Sequence, residues 1–335
     1  MSKVYYKKCA LNDDVNNIVY NLIEKLIKEN NLKLPNMMPM KVHFGEEGNE
    51  TFIKPKYYEG IRRYLKDNNI DTCYIETNVL YKSNRSFEDS HIELAKRHGF
   101  DDLDIIIADG DEDNPYNEIE VNLKNFKTCK IGTKFADYDS YMVVSHFKGH
   151  ILAGMGSAIK QLAMGFAARG GKLDQHSDSI PSINEYGCIS CGICINKCPV
   201  NALELKPKVV LDKNKCVGCA ACTLVCPVNV ITNSWSTGNF LEKIAEYAYA
   251  ASKGKQMIHI IYAFNITKDC DCIGVSMQPI AKDIGVFVSL DPVAVDKAVL
   301  DLVNEEKELF TNGYKTLKYA EEIGLGKQDY ELIEG

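Results

Sequence analysis

The chain of 335 residues has no surplus of positive charge: 39 Lys and Arg stand against 46 Asp and Glu, a formal charge of -7. Nothing draws it electrostatically to a phosphate backbone or an anionic lipid surface, so neither nucleic acid nor membrane is an expected partner. Long apolar runs are missing too. The best, 257–264 and 284–290, fall far short of the roughly 20 residues a membrane-spanning helix needs. The opening MSKVYYKKCALNDD lacks the apolar core of a signal peptide, and the sequence therefore reads as cytoplasmic. A content of 45% hydrophobic and 25% charged residues excludes a disordered chain, a collagen-like repeat and a coiled-coil rod. A chain of this size buries a real core, as about two domains or one large domain with an insertion.

Cysteine, by contrast, is plentiful, with thirteen residues. In a reducing compartment, dense thiols point to metal rather than to disulfides. Cys188, Cys191, Cys194 and Cys198 follow the spacing C-x2-C-x2-C-x3-C-P, and Cys216, Cys219, Cys222 and Cys226 repeat it 28 residues later, ending on Pro199 and Pro227. CPVNAL at 198–203 and CPVNVI at 226–231 are one unit written twice. Residues 181–233 resemble the bacterial two-cluster ferredoxin family.

Chemistry supports the same reading. Three thiolates spaced by two residues can wrap one face of an iron-sulfur cubane, while the fourth leaves on a helical turn and ligates the other cluster. Cys188, Cys191, Cys194 and Cys226 then hold one 4Fe-4S cluster, and Cys216, Cys219, Cys222 and Cys198 the second. Gly187, Gly192 and Gly218 suit backbone pressed close to inorganic sulfide, where a Cβ would crowd. Structural zinc prefers two separated C-x2-C knuckles. Strands at 202–205 and 209–211 around Lys206-Pro207-Lys208 give the small hairpin of such a module, and so little core is not expected to fold without the clusters.

The flanks alternate helix and strand. Helices are expected at 14–30, 55–69 and 86–98, strands at 40–44, 72–77, 104–108 and 141–145. After the repeat come a helix at 241–252, strands at 257–264 and 284–290, and a helix running to 302 that Asp291 caps and Pro292 starts. The fold class is α/β: an interrupted α/β sheet domain made of 1–180 plus 234–335, with an inserted α+β ferredoxin-like two-cluster module at 181–233.

Outside the repeat, the densest chemistry is SHFKGHILAGMGSAIKQLAMGFAARGGK at 145–172, which follows a strand and opens a helix near Ser157. Ligands of open α/β sheets bind at strand carboxyl ends. His146, Lys148 and His150 alternate, so an extended chain projects all three to one side. Gly154, Gly156 and Ser157 precede helix amides free to hold an anion, with Lys160 one turn on. The text is neither a Walker A motif nor GxGxxG. Asp269-Cys270-Asp271-Cys272 is the second constellation: C-x-C puts two thiols on one side of an extended chain, able to chelate a soft metal or form a redox pair. Cys9, Cys73 and Cys129 read as packing residues. Polar loops follow two other strands, GEEGN at 45–49 and the set Thr77, Asn78, Tyr81, Arg85 and His91. With Asp109 they would share one sheet edge if the strands run parallel.

GEEGN, the TN-x2-Y-x3-R-x5-H pattern at 77–91, SHFKGH, GSAIKQLAMG, DCDC and DIGVFVSLDPVAVDKA together resemble the DUF362 family of iron-sulfur centre proteins along most of the chain. That resemblance implies the interrupted α/β fold. A fainter similarity to the nickel-pincer lactate racemase family would put His150 and Lys160 at its histidine and lysine, with GSAIK where that family has GGRK.

Two functions are expected. In the first, a ferredoxin or flavodoxin donor feeds electrons through the clusters to a substrate or cofactor at the strand ends, as in a ferredoxin-dependent reductase. His146 or His150 would handle protons, Lys148 and Lys160 would hold a small anionic substrate, and Cys270 with Cys272 would bind a further metal or exchange electrons. Thr77, Asn78, Tyr81 and Arg85 would join Gly154, Gly156 and Ser157 in holding an organic cofactor. In the second, the α/β body only docks a redox partner, as a non-enzymatic electron-transfer or assembly subunit.

Overall fold

The computed structural model describes all residues except 111–114, 177–179, 199, 217–220, 233–238 and 306. In chain order the first part runs β1 (Ser2–Lys8), α1 (Val15–Glu29), β2 (Met40–Lys41), α2 (Glu59–Asp67), β3 (Tyr74–Glu76), α3 (Glu88–Arg97), β4 (Ile105–Ile107), the hairpin β5 (Tyr116–Glu120) and β6 (Thr128–Gly132), β7 (Ser140–His146), the short hairpin β8 (Lys148–His150) and β9 (Gly154–Gly156), α4 (Ala158–Phe166) and α5 (Arg169–His176). The cysteine-rich segment contributes β10 (Ser182–Ile183), α6 (Ile193–Asn196), β11 (Leu203–Lys206), β12 (Lys208–Leu211), α7 (Ala221–Val225) and β13 (Ile231–Thr232). Then follow α8 (Phe240–Ser252), β14 (Gln256–Ala263), β15 (Gly285–Ser289), α9 (Pro292–Asn304), α10 (Gly313–Glu322) and β16 (Tyr330–Glu334).

Eight strands form one sheet in the order β16-β1-β15-β14-β7-β2-β3-β4. It takes strands from both sides of the cysteine-rich segment. β14, β7, β2, β3 and β4 run parallel, so the loops leaving β2, β3, β4, β7 and β14 emerge at one edge. β15 is antiparallel to β14 and β1. The central strands are covered on both faces, and every residue of β7 is buried, which is why YMVVS is a continuous apolar run rather than an alternating one.

One core lies under α4, α8, α9 and α10, the other under α1 and α2. Helix α1 buries Val15, Val19, Leu22, Ile23, Leu26 and Ile27 at helical spacing, and Asp14 caps it by accepting from the Asn17 amide. Asp291 caps α9 in the same way, accepting from the amides of Val293 and Ala294.

Elements beyond the sequence expectations include β1, which lies inside the sheet, the edge strand β16, the β5–β6 hairpin, α5 and α10. The exposed faces of β5 and β16 carry charge, which hides their strand pattern among loop-like polarity.

In the cysteine-rich segment the written repeat becomes a repeated turn. Asn201 and Asn229 both take left-handed backbone, at φ 50° and 52°, and their amides donate to Cys198 and Cys226 carbonyls at 3.3 Å each. β11 and β12 pair antiparallel across Pro207, the expected hairpin. No helix among the described residues is long and apolar enough to cross a membrane.

Candidate functional site

The parallel strand ends surround a cleft of about 830 Å³, mouth included. β7 and β8 bring His146, Lys148 and His150 to it, α4 brings Lys160, and the loop after β14 brings Cys270 and Cys272. Thr77, Tyr81, Arg85, Gly156 and Ser157 also line it, whereas Gly154 and Asn78 do not. Asn78 instead braces the neighbouring loop, its amide donating to Asp109 Oδ1 at 2.8 Å. Sequence reasoning passed over His43, Glu76, Lys172 and His176, which lie on the wall too. Their only signal was position, at or just past a strand end or on the helices behind it.

The D-C-D-C text is a turn rather than the extended chain expected from its spacing. The Ile273 amide donates to the Cys270 carbonyl at 3.0 Å. Asp271 is buried and faces the protein body, where its Oδ2 accepts from His146 Nδ1 at 2.8 Å and Lys148 Nζ at 3.0 Å. Burial opposes its ionisation, but the charges of His146 and Lys148 outweigh that and hold its carboxyl well below the usual range. The GEEGN loop clamps the turn: the Glu46 amide donates to the Asp271 carbonyl at 3.1 Å, and Asn49 Nδ2 to that of Ile273 at 3.2 Å. Gly48 and Gly274 are required there, since a Cβ on either would come within 2.7 Å of a carbonyl of the opposite loop. With Asp271 pinned inward, both sulfurs face the cleft.

His146 is a clasp. Nε2 faces the Phe264 carbonyl at 2.7 Å and Nδ1 faces the Asp271 carboxylate at 2.8 Å, so both nitrogens are spent on protein acceptors. His150 is different. Its Nδ1 accepts from the Leu152 and Ala153 amides at 3.3 and 3.0 Å, which places the single proton of the neutral ring on Nε2. Burial, then the charges of Lys160, His176 and Lys148, keep that ring neutral by pushing its pKa well down.

Lys160 Nζ donates to Cys270 Sγ at 3.5 Å. The hydrogen bond from Cys272 first, then the charges of Lys160 and Lys148 against the opposing effect of burial, hold the Cys270 thiol well below its ordinary value. Cys272 moves the other way, through its bond to Cys270 and its burial. A nitrogen of His150 and the two sulfurs lie within 4.8 Å of one another.

A second layer of ion pairs supports the wall. Lys41 Nζ meets Glu76 Oε1 at 2.8 Å, Arg85 Nη2 meets Glu76 Oε2 at 3.6 Å, and Arg85 Nε donates to His91 Nε2 at 3.2 Å. Lys172 Nζ donates to Thr77 Oγ1 and the Ala167 carbonyl at 2.6 Å each, and burial pulls its pKa down to about 8. Buried groups on this wall without a hydrogen-bond partner among the described residues include Arg85 Nη1, which lies 3.9 Å from Glu46 Oε2, and Ser145 Oγ. Buried donors left over in this way suit a ligand that brings acceptors.

The expected anion seat at the start of α4 is already filled. Asp296 of α9 accepts from the Ala158 amide at 2.8 Å and the Ile159 amide at 2.9 Å, so those donors serve the protein's own carboxylate. Burial raises the Asp296 pKa to about 6.

The cysteine-rich segment holds a second cavity of about 320 Å³, mouth included, lined by Cys188, Cys191, Cys194 and Cys226. The first three come from one half of the repeat and the fourth from the other. Backbone amides approach the sulfurs, Ser190 N to Cys188 Sγ at 3.4 Å and Ala202 N to Cys198 Sγ at 3.1 Å. Cys219, Gly218 and Pro199 lie outside the described residues. A Cβ on Gly187 would meet Val230 Cγ1 at 2.7 Å, and Gly192, on the cavity lining, takes a φ of +74° that favours glycine.

This segment leaves and rejoins the body at the cleft. His176, at the end of α5, lines the cleft and stacks on Phe240, the first residue of α8, with centroids 4.9 Å apart. His150 lies parallel to the same ring at 6.4 Å. From His176 to Ser182 the chain can span at most about 20 Å, so β10 starts within that distance of the cleft lip.

The family model described as a domain of unknown function (DUF362) matches residues 39–301. Two solved structures are similar. A structural-genomics target from Thermotoga maritima matches at 9% identity and TM-score 0.44, covering 95% of this chain and 60% of that one. The lactate racemase apoprotein from Thermoanaerobacterium thermosaccharolyticum matches at 11% identity and TM-score 0.38, covering 78% and 51%. The chain thus spans about 60% of the first of these. No curated protein matches it.

Proposed function

The chain belongs to the DUF362 family, and on that footing we propose that it is an iron-sulfur redox enzyme acting on a small anionic substrate in the strand-end cleft. Two 4Fe-4S clusters, when bound, supply single electrons. Cys188, Cys191, Cys194 and Cys226 would hold one, and Cys216, Cys219, Cys222 and Cys198 the other.

The observation that carries the reading is the cavity wall of four thiols drawn from both halves of the repeat. Zinc with bonds of about 2.3 Å in a tetrahedron would gather its sulfurs roughly 3.8 Å apart. Among the described residues no three of these four thiols gather around a single-ion position; they line a space instead. Amides directed at Cys188 and Cys198 suit thiolate ligands.

In the cleft, Arg85 and Ser145 offer the unspent donors that orient an anion, and Lys148 and Lys160 add positive field. The neutral His150 has a proton on Nε2 to give. Arg85, Lys160 and Lys172 concentrate cations in an otherwise acidic chain, which favours an anionic substrate over a cationic one. A ferredoxin or flavodoxin is the class of donor suited to one-electron delivery.

Purification without oxygen, followed by iron, sulfide, nickel and zinc analysis and extraction of organic cofactors, tests this. About eight iron and eight sulfide per chain are expected. Colourless protein carrying zinc in place of iron overturns it.

A further inference from the structure

The two cysteines of the cleft sit in surroundings that disfavour a metal ion. A cation would need a free lone pair on His150, yet Nδ1 is taken by two backbone amides and the other nitrogen carries the ring proton. The Lys160 ammonium, 3.5 Å from Cys270 Sγ, would repel a cation bound to that sulfur. Lys148 and Arg85 line the same cleft. The positive charge has the opposite effect on a thiolate: the Lys160 ammonium at 3.5 Å, with the neighbouring thiol, stabilises a negative sulfur.

We propose that Cys270 and Cys272 are a redox-active dithiol–disulfide couple, with Cys270 attacking and Cys272 resolving, that exchanges with a small anionic disulfide held at the Arg85 and Ser145 wall. The Cys270 thiolate attacks one sulfur of the substrate, the substrate S–S bond breaks, and one thiolate leaves. Cys272 then loses its proton to solvent at the cleft mouth and attacks Cys270 Sγ, closing the Cys270–Cys272 disulfide and releasing the second thiolate. The two leaving groups are reduced by the electron pair that the dithiol loses. Asp271 makes the couple possible: anchored between His146 and Lys148, it turns both neighbouring sulfurs to one side. Return of the couple to the dithiol takes two electrons from a one-electron carrier, and that part rests on the iron-sulfur reading above.

The test uses the full chain, prepared without oxygen, reduced with dithiothreitol and desalted. It is mixed with oxidised glutathione, quenched with iodoacetamide and cut after lysine, which frees residues 269–282 as a peptide whose only cysteines are Cys270 and Cys272. The expected peptide is unalkylated and lighter by two hydrogens, with reduced glutathione released. Cys272→Ser stops at a mixed disulfide on Cys270, and Cys270→Ser forms none. Lys160→Met slows exchange at pH 7 by about tenfold or more, the effect of removing an opposite charge within about 4 Å, and Lys160→Arg restores it. The cationic disulfide cystamine reacts more slowly than oxidised glutathione. Full alkylation of both cysteines after exposure overturns the inference, as does a stoichiometric metal that Cys272→Ser loses. Iron and sulfide measured on the same samples keep the two readings apart: exchange by iron-free protein sustains the couple and removes its electron supply.

Discussion

His146 Nδ1 and Asp271 Oδ2 are held 2.8 Å apart in a site closed to solvent, with Lys148 Nζ 3.0 Å from the same oxygen. One carboxylate thus holds an imidazole and an ammonium and fixes the turn that aims two sulfurs at the cleft. Asp271→Ala leaves the buried Lys148 ammonium uncompensated and the His146 ring without its partner, and should cost about 3–5 kcal/mol in urea unfolding. The depressed folded pKa means that this stabilisation is present above the unfolded value near 4 and is lost as pH falls through the lower folded value. An unchanged unfolding midpoint in the variant would remove the clasp from the account.

The thiol pairing across the repeat gives a spectroscopic prediction. Cys226→Ser should damage the cluster of Cys188, Cys191 and Cys194, and Cys198→Ser the cluster of Cys216, Cys219 and Cys222. Electron paramagnetic resonance of each reduced variant should show one cluster signal lost and the other retained. Loss of the signal from the set nearest in sequence would reverse the pairing.

His150→Ala should leave iron and sulfide content unchanged, because the ring belongs to the cleft wall and not to the cysteine-rich segment. Reduction of any acceptor that the wild type reduces should be abolished, and the exchange of Cys270 with oxidised glutathione should slow by about tenfold. A ring nitrogen of His150 lies within 4.8 Å of both sulfurs, and that factor is the scale of losing one polar neighbour, about 1.4 kcal/mol. Unaltered rates would exclude the histidine from the chemistry.

Asp296 predicts a pH signature of the fold. Its folded pKa of about 6 lies above the unfolded value, so the native state holds its proton more tightly and the carboxylate weakens the fold as pH rises from 4 to 6. Asp296→Asn removes that dependence. Thermal unfolding of the wild type should lose, relative to the variant, on the order of 2–3 kcal/mol across this window. Parallel curves for the two proteins would show that burial does not perturb Asp296.

Much of the body is visible in local pattern. The apolar spacing of 14–30 gives α1 to within a residue at each end, and Asp291-Pro292 marks the start of α9, because both signals are contained within a few turns of chain. The convergence of SHFKGH and DCDC on one cleft follows from parallel strands with a common carboxyl edge. The identity of the groups that satisfy each donor is not contained in such patterns. Nothing near Ser157 announces that a carboxylate 138 residues away occupies the Ala158 amide. Nor does the text around His146 reveal that its partners are Asp271 and the Phe264 carbonyl.

Sequence alone determined the α/β class, the doubled cysteine spacing and the residues able to do chemistry, since periodicity and ligand spacing are local properties of a chain. Tertiary structure decided which of those residues stay available. It spent His146 and Asp271 on each other, filled the start of α4 with Asp296, and left Cys270 beside Lys160 and a neutral His150. Charge state and hydrogen-bond satisfaction depend on neighbours brought together across more than a hundred residues, and only the folded sheet sets those neighbours.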